Sequence, residues 1–164
     1  MKFYITNFAH LRYLTESFIP ISTCANDPFF FHVEDKSKYK FNNEGYYVNK
    51  NNVLFGIREE SLSPLNLKEE DITCINCDHS AAPNCRFMSA YRNYILSIDF
   101  KAMINELQRV AEDVRKITKF SGEPNIILLV YEAVSSPCSE RYGLKELFKN
   151  NDIELIEFDK NLLA

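Results

Sequence analysis

Hydrophobic and polar residues recur along this chain with two different periods, and the periods mark its elements. Residues 2–6 form a short apolar run that predicts a buried first strand. Residues 17–23 predict a second strand with Pro20 inside it; because proline donates no ladder hydrogen bond, this strand belongs at an edge or a bulge. Residues 29–33 are apolar but brief. Residues 34–52 turn polar, rich in Lys, Asn and Tyr and with Gly45 among them, which predicts a flexible loop or an excursion hairpin. Residues 53–58 predict another strand. Residues 61–71, with Pro64 and several acids, suit a connector.

The helical period takes over in the second half. Residues 86–96 predict a short helix. Asp99 reads as the N-cap of a long one, in which Phe100, Ile104, Leu107, Val110, Val114 and Ile117 recur at steps of three and four and share a face. Ser121-Gly122-Glu123-Pro124 stops it. Residues 125–132 are almost continuously apolar, the pattern of a central parallel strand, here expected between the first strand and residues 153–158. Ser136 and Pro137 predict the cap and first residue of another helix, which carries Leu144, Leu147 and Phe148 and ends near Asn150. Strand, helix and strand at this spacing make a βαβ unit with a right-handed crossover. The expectation is one α/β domain over residues 1–164, with three layers, a small, mostly parallel sheet and a Cys-rich metal-binding loop at 74–85.

Composition fits that architecture and narrows the function. Of the 164 residues 46% are hydrophobic, with 13 Phe, 9 Tyr and no Trp, enough for a core. The formal charge of −4 argues against a strongly basic nucleic-acid binder, although a local basic patch is compatible with it. The opening residues lack the apolar core of a signal peptide, and the longest apolar run, residues 126–131, is too short to span a bilayer. A cytoplasmic location with no membrane partner is therefore expected, and with it reduced thiols.

Reduced thiols give the densest motif its meaning. Cys74, Cys77 and Cys85 fall within twelve residues, and His79 lies between them. A Cys-x-x-Cys pair lets two thiolates hold one ion without backbone strain, and Cys85 and His79 would complete a tetrahedral zinc site. Asp78, Cys24 and Cys138 are alternative fourth ligands. An iron–sulfur cluster uses the same thiolates. The plain reading is three ordinary cysteines in a surface loop. A metal here would be structural, since the loop is short of core.

A second constellation follows the apolar strand: Glu132, then Ser136-Pro137-Cys138-Ser139-Glu140-Arg141. Ligands in open α/β sheets bind beyond the carboxyl ends of the strands, and a helix start offers unpaired amides and partial positive charge. Ser136, Cys138, Ser139 and Arg141 are the expected ligand-binding residues, with an anionic, phosphate- or nucleotide-like group or a nucleic-acid end as ligand. Cys138 in the first helical turn would have a lowered thiol pKa and is a candidate nucleophile. Glu132, Arg58 and Glu59 are further catalytic candidates. The competing reading is a well-capped helix whose arginine pairs with Glu140 or Glu146. His10 and His32 are single histidines near aromatics, and Lys36, Lys38 and Lys40 with Tyr39 and Phe41 form a basic-aromatic run in an otherwise solvated loop.

Several of these segments resemble an uncharacterised family called domain of unknown function 488. They are the opening Phe3-Tyr4-Ile5-Thr6-Asn7-Phe8, then Ile19-Pro20-Ile21-Ser22, and Gly56-Ile57-Arg58-Glu59-Glu60 with Pro64. Cys74 and Cys77 with Cys85-Arg86-Phe87 and Tyr91 are similar to one subgroup. The most specific likeness is Ile127 to Glu132 followed by Pro137-Cys138-Ser139-Glu140-Arg141. Many members of that family carry Cys-His-Arg where this chain has Cys138-Ser139-Glu140, so a Cys–His catalytic pair is not implied here. The resemblance implies an α/β fold and no activity. The functional expectation is thus a metal-containing α/β protein that binds an anionic ligand at residues 136–141. The alternatives are a protein-interaction module using the aromatic 34–52 region and a nucleic-acid-binding module with a structural metal.

Overall fold

The computed structural model describes residues 1–32, 40–41, 46–72 and 85–163. Its center is a four-stranded, wholly parallel sheet of β1 (Phe3–Asn7), β2 (Phe18–Ser22), β6 (Asn125–Val130) and β7 (Leu155–Glu157), in the order β2-β6-β1-β7. A small antiparallel sheet, β3 (Lys40–Phe41), β4 (Tyr47–Val48) and β5 (Leu54–Phe55), lies in the second quarter of the chain. The described part of the 34–52 excursion is therefore laddered. The helices are α1 (Glu69–Ile72), α2 (Arg86–Ile95), α3 (Phe100–Thr118) and α4 (Glu140–Asn150). No helix among the described residues is long and apolar enough to cross a membrane.

β6 is buried from Ile126 to Val130, as its unbroken apolar run requires. Side chains alternate across it. Ile126, Leu128 and Val130 face a core shared with Met103, Leu107, Ala111 and Val114 of α3, Tyr91 and Ile95 of α2, and Leu144, Leu147 and Phe148 of α4. Ile127 and Leu129 face the other side, among Phe8, Leu11, Leu14, Phe18, Phe31, Tyr47 and Phe55. The fold is three-layered: α2, α3 and α4 cover one face and the 3-10 turns Phe8–Tyr13 and Phe29–Phe31 the other, while the small sheet gives Val48 and Leu54 to the first core and Tyr47 and Phe55 to the second. One neighbour differs from expectation: β6 lies between β1 and β2, and β7 reaches only β1. The order places Pro20 on the edge strand, as its missing N–H predicts. Ser22, two residues on and pointing the same way, donates its amide outward to the Ile57 carbonyl (N···O 2.9 Å), not to β6. The proline nitrogen thus faces away from the ladder.

Asp99 caps α3, its carboxylate accepting from the Ala102 amide at 3.0 Å. The buried stripe of α3 is Met103, Leu107, Ala111, Val114 and Thr118; Phe100, Ile104 and Val110 are half-buried and Ile117 is exposed. The helix is thus rotated relative to its most hydrophobic face, with the small Ala111 packed inward. Thr118 is tolerated there because its hydroxyl donates to the Val114 carbonyl at 3.0 Å. α3 ends at Thr118, with Lys119 in the left-handed region (φ 58°), three residues before Gly122. α2 lies on α4 at Gly143, where an added Cβ would come within 3.3 Å of the Tyr91 ring.

Leu129 is fully buried, and its truncation leaves a cavity that neighbours on both sides resist filling. Leu129→Ala is expected to destabilise the protein by about 2–5 kcal/mol, read as a lower denaturant midpoint with an unchanged slope.

Candidate active site

β2 and β6 end side by side, in parallel, and deliver residues 22–24 and 130–132 to one edge of the sheet. Thr23 donates its hydroxyl to the Leu129 carbonyl at 3.0 Å, and the Cys24 thiol lies 3.5 Å from the same oxygen. Burial, and then the carboxyl groups of Glu140 and Glu132, push the Cys24 thiol well above its ordinary range. Asp27 also acts on this thiol, so the groups that follow β2 and those that follow β6 share one electrostatic environment.

Asp27 organises the β2 side. Its side chain is 3% exposed and accepts from Ser22 Oγ, from Arg58 Nη1 at 2.5 Å and from His32 Nε2 at 2.6 Å. Burial opposes its charge, but the hydrogen bonds from Ser22, Arg58 and His32 outweigh it and hold the carboxyl below the usual range. Arg58 also donates from Nη2 to the Cys24 carbonyl at 2.6 Å and from Nε to Glu60 at 3.0 Å. Glu59 is half-buried; its amide donates to the Ser22 carbonyl and its carboxylate accepts from Ser61 Oγ at 2.6 Å. Arg58 and Glu59 thus reach the expected edge, but as partners of β2 and its loop.

The segment after β6 departs from the sequence reading. Ser139, not Ser136, caps α4, accepting from the Arg141 amide at 3.1 Å. Ser136 instead closes a turn with the Cys138 amide at 3.3 Å, a local bond that satisfies the same Ser-Pro signal without starting a helix. Cys138 therefore lies before the cap and is buried, outside the first helical turn. Arg141 is 3% exposed. It donates from Nη1 to the Glu132 carbonyl at 2.8 Å, and its Nε lies 2.6 Å from Glu157 of β7, a contact not aligned as a hydrogen bond. Its fork is spent inside the protein and is not offered to a ligand. Glu146, the alternative partner, pairs with Arg92 instead.

Glu140 is the unexpected group. It opens α4 with 6% exposure, and its Oε2 is buried without a hydrogen-bond partner among the described residues. Burial first, and then the neighbouring Glu132 carboxylate, raise its pKa to about 8. Glu132 is half-buried and accepts from Ser139 Oγ at 3.1 Å. The pair resembles two carboxyls sharing one proton, an arrangement suited to acid–base chemistry.

Cys74, Cys77, Asp78 and His79 lie outside the described residues. Cys85 is half-buried and stands at the N-cap of α2. Among the described residues no three His, Cys, Asp or Glu side chains come together around an ion. Lys36, Lys38 and Tyr39 are also outside the described residues. His10 is held by Thr6 Oγ1 at 2.6 Å. No family model, curated protein or solved structure matches the chain.

Sequence reasoning passed over Asp27, named His32 only as a single histidine near aromatics, and named Glu140 only as a partner for the arginine. Asp27 and His32 are five apart in an aromatic loop with no motif. Placement at the strand ends is what distinguishes them, and spacing does not encode it.

A buried thiol outside the helix start is expected to react slowly. Native protein should incorporate iodoacetamide at Cys138 far more slowly than a denatured control, without acceleration by phosphate. Rapid native labelling at neutral pH would show that the thiol is accessible and activated.

Proposed function

We propose that this chain is an enzyme that moves a proton on a small ligand held beyond the carboxyl ends of β2 and β6. Glu132, half-exposed, meets the ligand, and Glu140 behind it supplies or stores the proton. The buried Oε2 of Glu140, without a hydrogen-bond partner among the described residues, carries this reading. A carboxyl that retains its proton at neutral pH, beside a second one in contact with solvent, forms a general acid of matched strength. The charges favour a neutral proton acceptor, such as a carbonyl compound, over the phosphate-like anion that the helix start suggests. Three carboxyl groups border the edge, and the guanidinium groups of Arg58 and Arg141 are both engaged within the protein.

Stability against pH tests the pair. The folded pKa of Glu140 is raised above its unfolded value, so the unfolded chain releases this proton first. Its contribution to stability is full below the ordinary carboxyl pKa of 4.5 and is lost as pH rises to about 8. Glu140→Gln is expected to flatten that decline and to be more stable than the parent above pH 8, while Glu132→Gln should lower the carbon-detected NMR titration midpoint of Glu140. A Glu140 that titrates as an ordinary carboxyl would remove the acid and leave a non-enzymatic module as the better reading.

We also propose a structural zinc on Cys74, Cys77, Cys85 and His79, argued from ligand spacing, and kinship with domain of unknown function 488, argued from the shared segments. A cytoplasmic location suits reduced thiolates. Protein prepared without chelator should contain about one zinc per chain by elemental analysis. Iron with visible absorbance would indicate a cluster, and metal-free protein would reduce the loop to three ordinary cysteines.

A further inference from the structure

His32 and Asp27 form a second acid–base device at the same edge. Asp27 is buried and holds an ionised carboxylate, which can only accept, so the His32 nitrogen 2.6 Å away must donate. The imidazole then carries a hydrogen on Nε2, which makes Nδ1 the basic nitrogen of its neutral form, on a side chain that is 46% exposed. The backbone beneath it is fixed. The His32 amide closes the 3-10 turn Phe29–Phe31 onto the Phe29 carbonyl at 3.1 Å, the Tyr47 hydroxyl donates to the Phe30 carbonyl, and Phe31 stacks on Phe55 at 5.7 Å.

Exposed aromatic rings flank the turn that carries His32. Phe29, Phe30 and Tyr131 are 79%, 43% and 49% exposed, with the buried Phe8 ring 6.3 Å from Phe30 and 5.2 Å from Tyr131. Tyr131 follows β6, and its phenol is raised first by partial burial, with the Asp27 carboxylate also acting on it. Rings exposed in a row next to a positioned base suit a flat ligand, because every planar ring can stack and no specific hydrogen bond is needed.

We propose that His32 is the catalytic base of this edge, that Asp27 is its positioning residue, and that the ligand is a small planar aromatic compound stacked on Phe30 and Tyr131. The inference rests on the proton-transfer reading for the location of the reaction, and names the base and the ligand class.

The probe is nitrobenzisoxazole, a flat compound whose ring opens when one proton is removed. Nδ1 of His32 takes the hydrogen from the carbon next to nitrogen as a proton. The C–H electron pair completes the nitrile, the N–O bond breaks, and its electron pair leaves on the phenolate oxygen. The imidazolium returns its proton to solvent, so no other reactant is required. Wild-type protein should open the probe faster than buffer. His32→Ala should lower kcat/KM about tenfold or more, the low end of what a positioned base contributes, while His10→Ala should leave it unchanged. Asp27→Asn should lower kcat and displace the pH profile with little change in KM, and Asp27→Glu should restore part of the rate. Phe30→Ala should raise KM. Turnover no faster than buffer, or turnover untouched by His32→Ala, overturns the inference. Glu132→Gln and Glu140→Gln are measured in parallel: loss there with His32 dispensable retains the carboxyl pair and rejects His32, and the reverse pattern retains His32 and rejects the pair.

Discussion

The burial of β6 on both faces is the constraint from which the rest of this structure follows. Five consecutive residues, Ile126 to Val130, are removed from water, and a strand of that kind needs a neighbour on each edge and a layer over each face. β1 and β2 supply the edges in parallel. The amphipathic helices α2, α3 and α4 cover one face. The other is covered, among the described residues, by aromatic side chains that include Phe8 and Phe31 from the 3-10 turns and Tyr47 and Phe55 from the small sheet. Rings bury much area per residue, so short irregular segments can seal a face that would otherwise need helices.

Parallel pairing has a chemical consequence. It brings all strand carboxyl ends to one edge, and there the chain places Asp27, Glu132 and Glu140 with Arg58 and Arg141. The charges are unevenly settled. Arg58 neutralises Asp27 and ties it to the Cys24 carbonyl; Arg141 is directed to Glu157 at the far strand and to the Glu132 carbonyl. Glu140 has no guanidinium of its own, and desolvation raises its pKa. The acid–base character of the edge arises from this unequal sharing of two arginines among more carboxylates.

Much of the framework was legible as pattern. The apolar run of β6, the Asp99 cap, the 86–96 helix and the edge position of Pro20 each follow from a local rule with a physical cause, and each appears in the structure. The start of α4 was misread because Ser136-Pro137 and Ser139-Glu140 both satisfy capping chemistry; a serine that closes a turn uses the same hydroxyl as a serine that caps a helix. The buried face of α3 was misread because hydrophobicity alone places Ile117 inward, whereas the sheet accepts Ala111 and Thr118.

The sequence by itself determined which segments are strands and helices, that the sheet is chiefly parallel, and that one strand is wholly buried, because these depend on neighbours a few residues apart. Only the tertiary structure decided the strand order, the rotation of α3, and the meeting of Cys24, Asp27 and His32 with Glu132 and Glu140. Those groups are separated by about a hundred residues of chain, and their protonation depends on burial and on which arginine lies nearest. Desolvation and charge proximity act through space, so a pattern read along the chain does not contain them.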